Sequence, residues 1–279
     1  MVAGKGGVGR TTVAAALAAN GAESGNRVLA IDASGSADLE QVVARNGLTG
    51  RFETIRLTTR SALDQYLKIH LKLPLGPSRL GPLANIFDYV SAAAPGVREL
   101  LIVGKIGQEA RFGQWDEIIV DAPATGHVVE LLTAPRSMAE LVPTGPLAQQ
   151  TGWLGEVLRA PTTSVVMVAI PEELPVTETG ELLTRIRTET DTAVTDLVVN
   201  KTPVPIDRDG RAEADRLIAA GRATSAVLEL ARSRDTLAAA QSDRIDALGL
   251  RRITALERYD EPVDAVRRAL HSVPVEPGR

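Results

Sequence analysis

The chain has 279 residues, of which 44% are hydrophobic and 3% aromatic, and its formal net charge is −4. This length suffices to bury a large core in one α/β domain or at most two. A core poor in aromatic residues suits parallel strands covered by Ala-rich helices. The mildly acidic charge argues against a protein that coats nucleic acid or an anionic membrane.

The sequence contains no cysteine. Disulfides, thiolate zinc sites, iron–sulfur clusters and thiol-bound metalloid sites are therefore excluded within the chain. The sequence also has no apolar run that could span a bilayer and no charged-then-apolar leader at its start. We therefore expect a soluble, cytoplasmic protein whose partners do not include nucleic acid.

Short β-branched runs alternate along the chain with longer Ala/Leu-rich runs. The runs predicted as strands are 27–32, 52–57, 116–121, 164–170, 195–200 and 251–257. Helical periodicity is found in 11–20, 36–47, 59–73, 175–190 and 210–241. This alternation predicts a doubly wound, mainly parallel sheet flanked by helices.

The sequence also predicts where the domain begins and ends. We expect a single domain over residues 1–270, with a helical insertion at about 59–111 and a frayed, Pro/Gly-rich tail at 271–279. Residues 1–3 are all that precede the first glycine loop. Either a minimal strand suffices there, or the true start lies upstream.

That first loop, "GKGGVGRT" at 4–11, nearly matches the phosphate-binding pattern Gly-x-x-x-x-Gly-Lys-Ser/Thr. In this pattern the glycines let backbone N–H groups face the phosphates, the lysine neutralises phosphate oxygens and the hydroxyl ligates Mg²⁺. The alternative is a glycine-rich turn without function. The pattern predicts ATP or ADP contacts from Gly4, Lys5, Gly6, Gly7, Val8, Gly9, Arg10, Thr11 and Thr12, with Thr11 also on the metal.

Arg10 stands where the pattern has lysine. The positive charge is kept, but a planar guanidinium on a longer stem replaces a compact ammonium. Phosphoryl transfer depends almost entirely on positioning, and a misplacement of ~1 Å can cost on the order of 10²-fold. We therefore expect nucleotide binding to survive better than hydrolysis.

Three polar residues follow or end apolar strands. Asp32 and Asp121 lie where parallel sheets bind ligands, and a carboxylate there is costly unless it meets a cation or hydrogen-bond donors. A helix N-cap or loop role is the alternative for each, and it stays open for Asp32 in particular. Asn200 is either a ligand contact or a strand-end turn residue.

Several motifs resemble one known family. "GKGGVGRTT" resembles the deviant phosphate loop of the SIMIBI class of P-loop ATPases. "VDAPATGH" at 120–127 resembles switch II of the arsenical-pump, or anion-transporting, ATPases and of their relatives that target tail-anchored membrane proteins. "IDASGSADL" at 31–39 takes the place of switch I, and "VVNK" at 198–201 the place that reads adenine. "APGVRELLIVGKI" at 94–106 is similar to the actinobacterial branch.

The resemblance implies a role for each matching residue. Lys5 would reach across a dimer interface to the partner's nucleotide, and Asp32 would position or activate the attacking water; these are the catalytic candidates. Asp121 would bind Mg²⁺ through water. Gly126 would lie near the γ-phosphate, and Asn200 would hydrogen-bond adenine. His127 is expected to be a hydrogen-bonding or packing residue without a catalytic role.

The resemblance implies an Mg-ATP-dependent, dimerising ATPase, either a homodimer or paired with a related subunit, and a membrane-associated client fits it. One alternative is a non-hydrolysing nucleotide-sensing or assembly subunit of a hetero-complex. Another is a partitioning or division-site ATPase, for which 263–272, with Arg267 and Arg268, is the one candidate membrane-binding helix. Without cysteine, the family's thiol metalloid site and its dimer-bridging zinc cannot form.

Overall fold

A computed structural model of the chain describes residues 1–34, 36–58, 61–62, 97–123, 125–141, 144, 146–204, 208–221, 224–257 and 260–272. The predicted helix at 59–73, apart from 61–62, lies outside these residues. So do most of the predicted insertion and the predicted tail beyond 272. The boundaries expected for the domain and its insertion therefore stay predictions.

The strands and helices alternate along the chain. The strands are β1 (Val2–Gly4), β2 (Val28–Asp32), β3 (Glu53–Arg56), β4 (Glu117–Asp121), β5 (Ser164–Ala169), β6 (Ala193–Thr202) and β7 (Arg251–Leu256). The helices within the described residues are α1 (Arg10–Glu23), α2 (Asp38–Arg45), α3 (Val97–Phe112), α4 (Thr125–Leu141), α5 (Pro146–Arg159), α6 (Glu173–Glu189), α7 (Arg208–Ala219), α8 (Ser225–Ala240), α9 (Ser242–Asp246) and α10 (Pro262–Ser272).

The strands form one seven-stranded sheet in the order β3-β2-β4-β1-β5-β6-β7. Every pair of neighbours is parallel. The predicted doubly wound parallel sheet is therefore confirmed. The chain winds to one side of β1 first and to the other side later, so that the end of β1 lies at the point where ligands bind in such sheets.

Both faces of the sheet are covered. In β2, Leu29 and Ile31 join the core under α3, α4, α5 and α6, whereas Val28 and Ala30 join the core under α1, α2 and α10. A strand buried on both faces reads as a continuous apolar run, which is why "VLAI" shows no polar alternation. The buried alanines of α1, including Ala14, Ala15 and Ala18, let that helix approach the sheet closely.

The structure corrects one predicted helix and adds others. The stretch 210–241 is not one helix: α7 ends at Ala219, Gly221 takes a left-handed φ of 67°, and α8 begins at Ser225. The pattern also missed α4 and α5, the first of which contains Pro135. None of the described helices combines the length and apolar character that a bilayer crossing needs.

Candidate functional site

The glycine loop runs from the end of β1 to the start of α1. A side chain at Gly4 would collide with the carbonyl oxygen of Val168 on β5, so that the two strands can approach only at glycine. Gly9, directly before α1, has a left-handed φ of 94°, a conformation that favours glycine. The loop therefore places the N-terminus of α1, with its free N–H groups, at the carboxyl edge of the sheet.

The end of β6 supports this loop from one side. Asn200 is 6% exposed, and its Nδ2 donates to the carbonyl oxygen of Val8 over 3.0 Å. Lys201, which has a left-handed φ of 50°, donates from Nζ to the carbonyl of Gly7 over 2.9 Å. A side chain at Gly9 would collide with the Asn200 amide. The structure thus gives Asn200 a loop-supporting contact, and its contact with adenine stays a prediction.

Thr11 and Asp121, the two residues expected from the sequence to hold the metal, are in contact; their binding of a metal stays a prediction. The Thr11 hydroxyl donates to Oδ2 of Asp121 over 2.7 Å. Asp121 is 1% exposed, and its other oxygen, Oδ1, is buried and has no hydrogen-bond partner among the described residues. Burial raises the pKa of Asp121 to about 6, while the Thr11 hydrogen bond and the positive charge of Arg10 act in the opposite direction. A buried carboxylate oxygen left without a donor is suited to a cation.

Arg10 does not point into solvent. Its Nη1 donates to the backbone carbonyl oxygen of Ala122, the residue that directly follows Asp121. The guanidinium therefore bridges the glycine loop and the end of β4. Sequence reasoning placed Arg10 on the phosphates, whereas here it is held by the backbone at the start of the switch II segment.

Asp32 ends β2, next to Asp121 in register on β4. It is also 1% exposed. Its Oδ1 accepts from the backbone N–H of Ser34 at 3.0 Å and from the Ser34 hydroxyl at 2.6 Å, and its Oδ2 accepts from the N–H of Ala37 at 3.0 Å. These bonds order the turn before α2, which supports the loop role that the sequence left open. Its role toward a water stays a prediction.

Lys5 is held within its own chain. Its Nζ lies 2.5 Å from Oε1 of Glu178 on α6, with the two side chains 35% and 29% exposed. The other oxygen of Glu178 is buried without a hydrogen-bond partner. Reaching a partner's nucleotide would require Lys5 to leave this contact.

An open cleft of about 330 Å³ lies beside these groups, within the size range of ligand sites. It joins the glycine loop, the turn after β2, the start of α3 and the start of α4. Its lining residues are Arg10, Thr11, Ala33, Ser34, Ser36, Asp38, Arg98, Glu99, Ile102, Pro123, His127 and Leu131.

The remaining expected residues lie around this region. Gly126 is exposed in the first turn of α4, and Thr12 is half-buried in the first turn of α1. His127 is 59% exposed, and its Nδ1 lies 2.9 Å from Oε2 of Glu130. This contact agrees with the first of the two roles expected for His127, hydrogen bonding or packing, and a part for it in switch II stays a prediction.

Sequence reasoning missed several residues near the site. Lys201 directly follows Asn200 in a motif that was noticed, and Ser34 stands two residues after an aspartate, the spacing of an Asx turn. Both had a usable local signal. Arg98 lies in the motif at 94–106, but that motif assigned it no role. Glu178 had no local signal, because only helix packing brings it to the loop.

Comparison with known proteins places this geometry in a family. The family model described as "CobQ/CobB/MinD/ParA nucleotide binding domain" matches residues 1–256. ATPase BagA of Mycobacterium tuberculosis is 26% identical over 219 residues, which cover 72% of this chain and 64% of that protein. Putative arsenical pump-driving ATPase 2 of Aquifex aeolicus is 26% identical over 148 residues, half of each chain.

A MinC:MinD cell division protein complex of Aquifex aeolicus aligns with 99% of this chain and 96% of that chain, at 17% identity and a TM-score of 0.46. The fold assignment rests on the observed strand order and the family match rather than on this likeness. The chain spans 64% of the length of the mycobacterial relatives it matches. By its family match over most of its length, the chain belongs to the CobQ/CobB/MinD/ParA family of nucleotide-binding domains, and its relatives include proteins named as ATPases and as an arsenical pump-driving ATPase.

Proposed function

We propose that the chain is a Mg²⁺-dependent ATPase that acts as a nucleotide switch in a dimer and hydrolyses ATP slowly unless a partner assists. The observation that carries this proposal is the Thr11–Asp121 pair. A hydroxyl at the start of α1 and a buried carboxylate with a free oxygen lie together beside a glycine loop. This donor set fits Mg²⁺, which prefers oxygen ligands and keeps several waters.

In this proposal the metal neutralises charge on the nucleotide phosphates. Thr11 would contact the metal directly, and Asp121 would hold it through water. The backbone N–H groups of the loop would bind phosphate oxygens together with the positive end of α1. Arg98, exposed on the cleft wall, adds a second cation that pairs with no acid among the described residues. Two acids, Asp38 and Glu99, line the same cleft, so that the bound metal and the loop N–H groups, together with the arginines, would hold the anionic phosphates.

Slow hydrolysis follows from where Arg10 is held. To contact a phosphate, its guanidinium must exchange the Ala122 carbonyl for a phosphate oxygen. The positive charge of Arg10 remains available to bind phosphate. A planar guanidinium that is hydrogen-bonded to the backbone of the switch II segment does not, however, occupy the position of a lysine ammonium. Because positioning dominates phosphoryl transfer, binding should be retained and turnover reduced.

The dimer in this proposal depends on Lys5. Its ion pair with Glu178 is half-exposed, and such pairs contribute at most about 1 kcal/mol. Nucleotide phosphates on a partner could therefore compete with Glu178 for the ammonium. Release of Lys5 would then be coupled to assembly.

The test is ATP turnover and ATP binding by the purified chain compared with Arg10→Lys. We expect similar nucleotide affinity, with turnover at least ~10-fold faster in the variant. Arg98→Lys is the matched control, because it makes the same exchange at another residue that lines the cleft and should not raise turnover. Equal turnover by the wild type and Arg10→Lys would contradict the slow-site proposal.

A second candidate is a non-hydrolysing nucleotide sensor, and the bonding of Asp32 favours it. Both carboxylate oxygens of Asp32 already accept hydrogen bonds from the turn that follows β2. A carboxylate engaged in this way orders a loop and has less capacity to orient a water. The sensor predicts tight ATP binding with no turnover by Arg10→Lys, even with a partner present.

The division-site alternative loses its main support. In α10 the apolar residues Val263, Val266 and Ala269 are buried against the sheet and α1, so that this face is not available to a membrane. Arg267 pairs with Glu23 and Asp264. The helix is therefore part of the core rather than a free basic amphipathic segment.

A further inference from the structure

Two residues that line the cleft, Glu99 and His127, form a group of potential metal ligands with Glu130, and this group does not include Thr11 or Asp121. Glu99 comes from the first turns of α3, and His127 and Glu130 come from the first turns of α4. Their ligand atoms all lie within 4.8 Å of one another. Glu99 is half-buried, while His127 and Glu130 are exposed. The group therefore joins two helices at a place that solvent ions can reach.

The donors differ in chemistry from those of the magnesium pair. One imidazole nitrogen and two carboxylates form a mixed nitrogen and oxygen set. Mg²⁺ and Ca²⁺ prefer oxygen alone, whereas Zn²⁺, Mn²⁺, Fe²⁺, Co²⁺ and Ni²⁺ accept imidazole together with carboxylate. The imidazole is what separates this group from an ordinary acidic patch.

The spacing within the group also suits a small cation. His127 and Glu130 are three residues apart on a helix, so that both project from one face. Nδ1 of His127 lies 2.9 Å from Oε2 of Glu130. Ligand bonds of ~2.1 Å at tetrahedral angles place neighbouring donor atoms ~3.4 Å apart, so that a metal ion would replace this hydrogen bond with a small shift of the two side chains. The third donor, a carboxylate oxygen of Glu99, lies within 4.8 Å of the other two.

The surroundings of Glu99 are a separate reason to expect a cation at this group. It is partly buried on the cleft wall, yet within the described part of the chain it makes no hydrogen bond and no ion pair. A partly buried carboxylate without a donor is costly, and a cation removes that cost. His127 would bind through Nδ1 as neutral imidazole, with its proton on Nε2 and solvent water completing the coordination.

We propose that Glu99, His127 and Glu130 bind one divalent first-row transition ion of the zinc class, separately from the Mg²⁺ of the nucleotide. Such an ion ties the start of α3 to the start of α4, which both line the cleft. It thereby fixes the helix that follows Asp121 and Ala122. The proposal does not depend on ATP hydrolysis, because it gives the three residues no part in that reaction.

The experiment uses the full chain, freed of nucleotide, metal and any polyhistidine tag. Zn²⁺ alone is titrated by calorimetry, and Co²⁺ alone by visible absorption, each with millimolar Mg²⁺ present to occupy oxygen-only sites. We expect one ion per chain in the wild type. His127→Gln and Glu99→Gln should each weaken binding by at least roughly 10²-fold.

Two matched variants make the assignment specific. His271→Gln removes an exposed imidazole from α10 and should bind as the wild type does. Asp121→Asn alters the nucleotide's metal site and should also keep the transition ion. Circular dichroism of each metal-free variant checks that it is folded.

Three outcomes would overturn the proposal. One is a wild type that binds no Zn²⁺ or Co²⁺ in the presence of Mg²⁺. Another is His127→Gln binding as tightly as His271→Gln. The third is loss of the ion in Asp121→Asn, which would place it at the nucleotide site. None of these results depends on ATP turnover, so that failure here and failure of the proposed ATPase activity are distinguishable.

Discussion

Asp32 and Asp121 end neighbouring strands, face each other in register and are each 1% exposed. Their surroundings nevertheless differ. The Asp32 carboxylate accepts two backbone N–H groups and a hydroxyl from its own turn. Within the described part of the chain, Asp121 accepts a hydrogen bond from the Thr11 hydroxyl alone, and its second, buried oxygen has no partner.

The comparison shows that equal burial does not imply an equal role. The negative charge of Asp32 is balanced by donors that the fold supplies, so that this residue stabilises the local structure. The charge of Asp121 is only partly offset by the Thr11 hydroxyl and the guanidinium of Arg10, and burial raises the pKa of Asp121 to about 6. A site that must receive a cation requires an incompletely satisfied carboxylate of this second kind.

The largest effect should come from Asp121→Asn. The amide keeps the acceptor for Thr11 but removes the charge that would hold a metal, so that Mg²⁺-dependent ATP affinity should fall by at least roughly 10²-fold. A fluorescent ATP analogue titrated with and without Mg²⁺ measures this. Binding in EDTA serves as the control and should change little. Unchanged Mg²⁺ dependence would remove Asp121 from the metal site.

The next prediction concerns the stability of the metal-free protein against pH. A folded-state pKa of Asp121 near 6, above the ordinary 3.8, means that the folded state binds more protons than the unfolded state between these values. The free energy of unfolding contributed by this group therefore falls as pH rises from about 4 to 6, by up to roughly 3 kcal/mol.

In Asp121→Asn this decrease in the free energy of unfolding between about pH 4 and pH 6 should be absent, because an amide does not titrate. Urea unfolding in EDTA at pH 4, 5, 6 and 7 measures the difference between the variant and the wild type. We expect the variant to gain relative stability as the pH rises and to be the more stable protein at pH 7. Parallel curves for the two proteins would show that the pKa of Asp121 is not raised.

The substitution Asp32→Ala tests whether Asp32 stabilises the turn that follows β2. The substitution leaves the N–H groups of Ser34 and Ala37 without their acceptor, and unsatisfied donors of this kind cost about 1–3 kcal/mol. Urea unfolding at pH 7 measures the loss. Ser34→Ala, which removes one donor and leaves Asp32 in place, should cost less. A loss under ~0.5 kcal/mol would mean that Asp32 does not order its turn.

The smallest effect on stability is expected from Glu178→Gln. The Lys5–Glu178 pair is half-exposed and one of its oxygens lacks a donor, so that the free energy of unfolding should change by less than about 1 kcal/mol. If Lys5 is needed by a partner's nucleotide, the variant should also dimerise more readily with ATP, as measured by sedimentation. Glu181→Gln, on the exposed face of α6, is the matched control.

Much of the fold was predictable because parallel strands buried on both faces leave strong local signals. The predicted strand 116–121 corresponds to Glu117–Asp121, and 164–170 to Ser164–Ala169. The prediction was wrong at 210–241, where periodicity continues across a break that Gly221 allows. It missed α4, because Pro135 argues against a helix unless tertiary packing compensates.

The candidate site, like the fold, was predictable only in part. The motif spacing predicted the loop and both aspartates, because the carboxyl ends of parallel strands meet at one edge. The actual contacts of Arg10 and Lys5 were not predictable. They depend on the Ala122 carbonyl and on Glu178, which are distant in sequence and come close only when the strands and helices pack.

The sequence by itself thus determined the class of fold, the phosphate loop and the position of the carboxylates, because these depend on short-range patterns and on the shared direction of the strands. Tertiary structure alone decided which aspartate is satisfied and which is not, where the loop cations rest, and that Glu99 meets His127 and Glu130. Those properties depend on hydrogen-bond partners and on burial, and both are set by residues far apart in the chain.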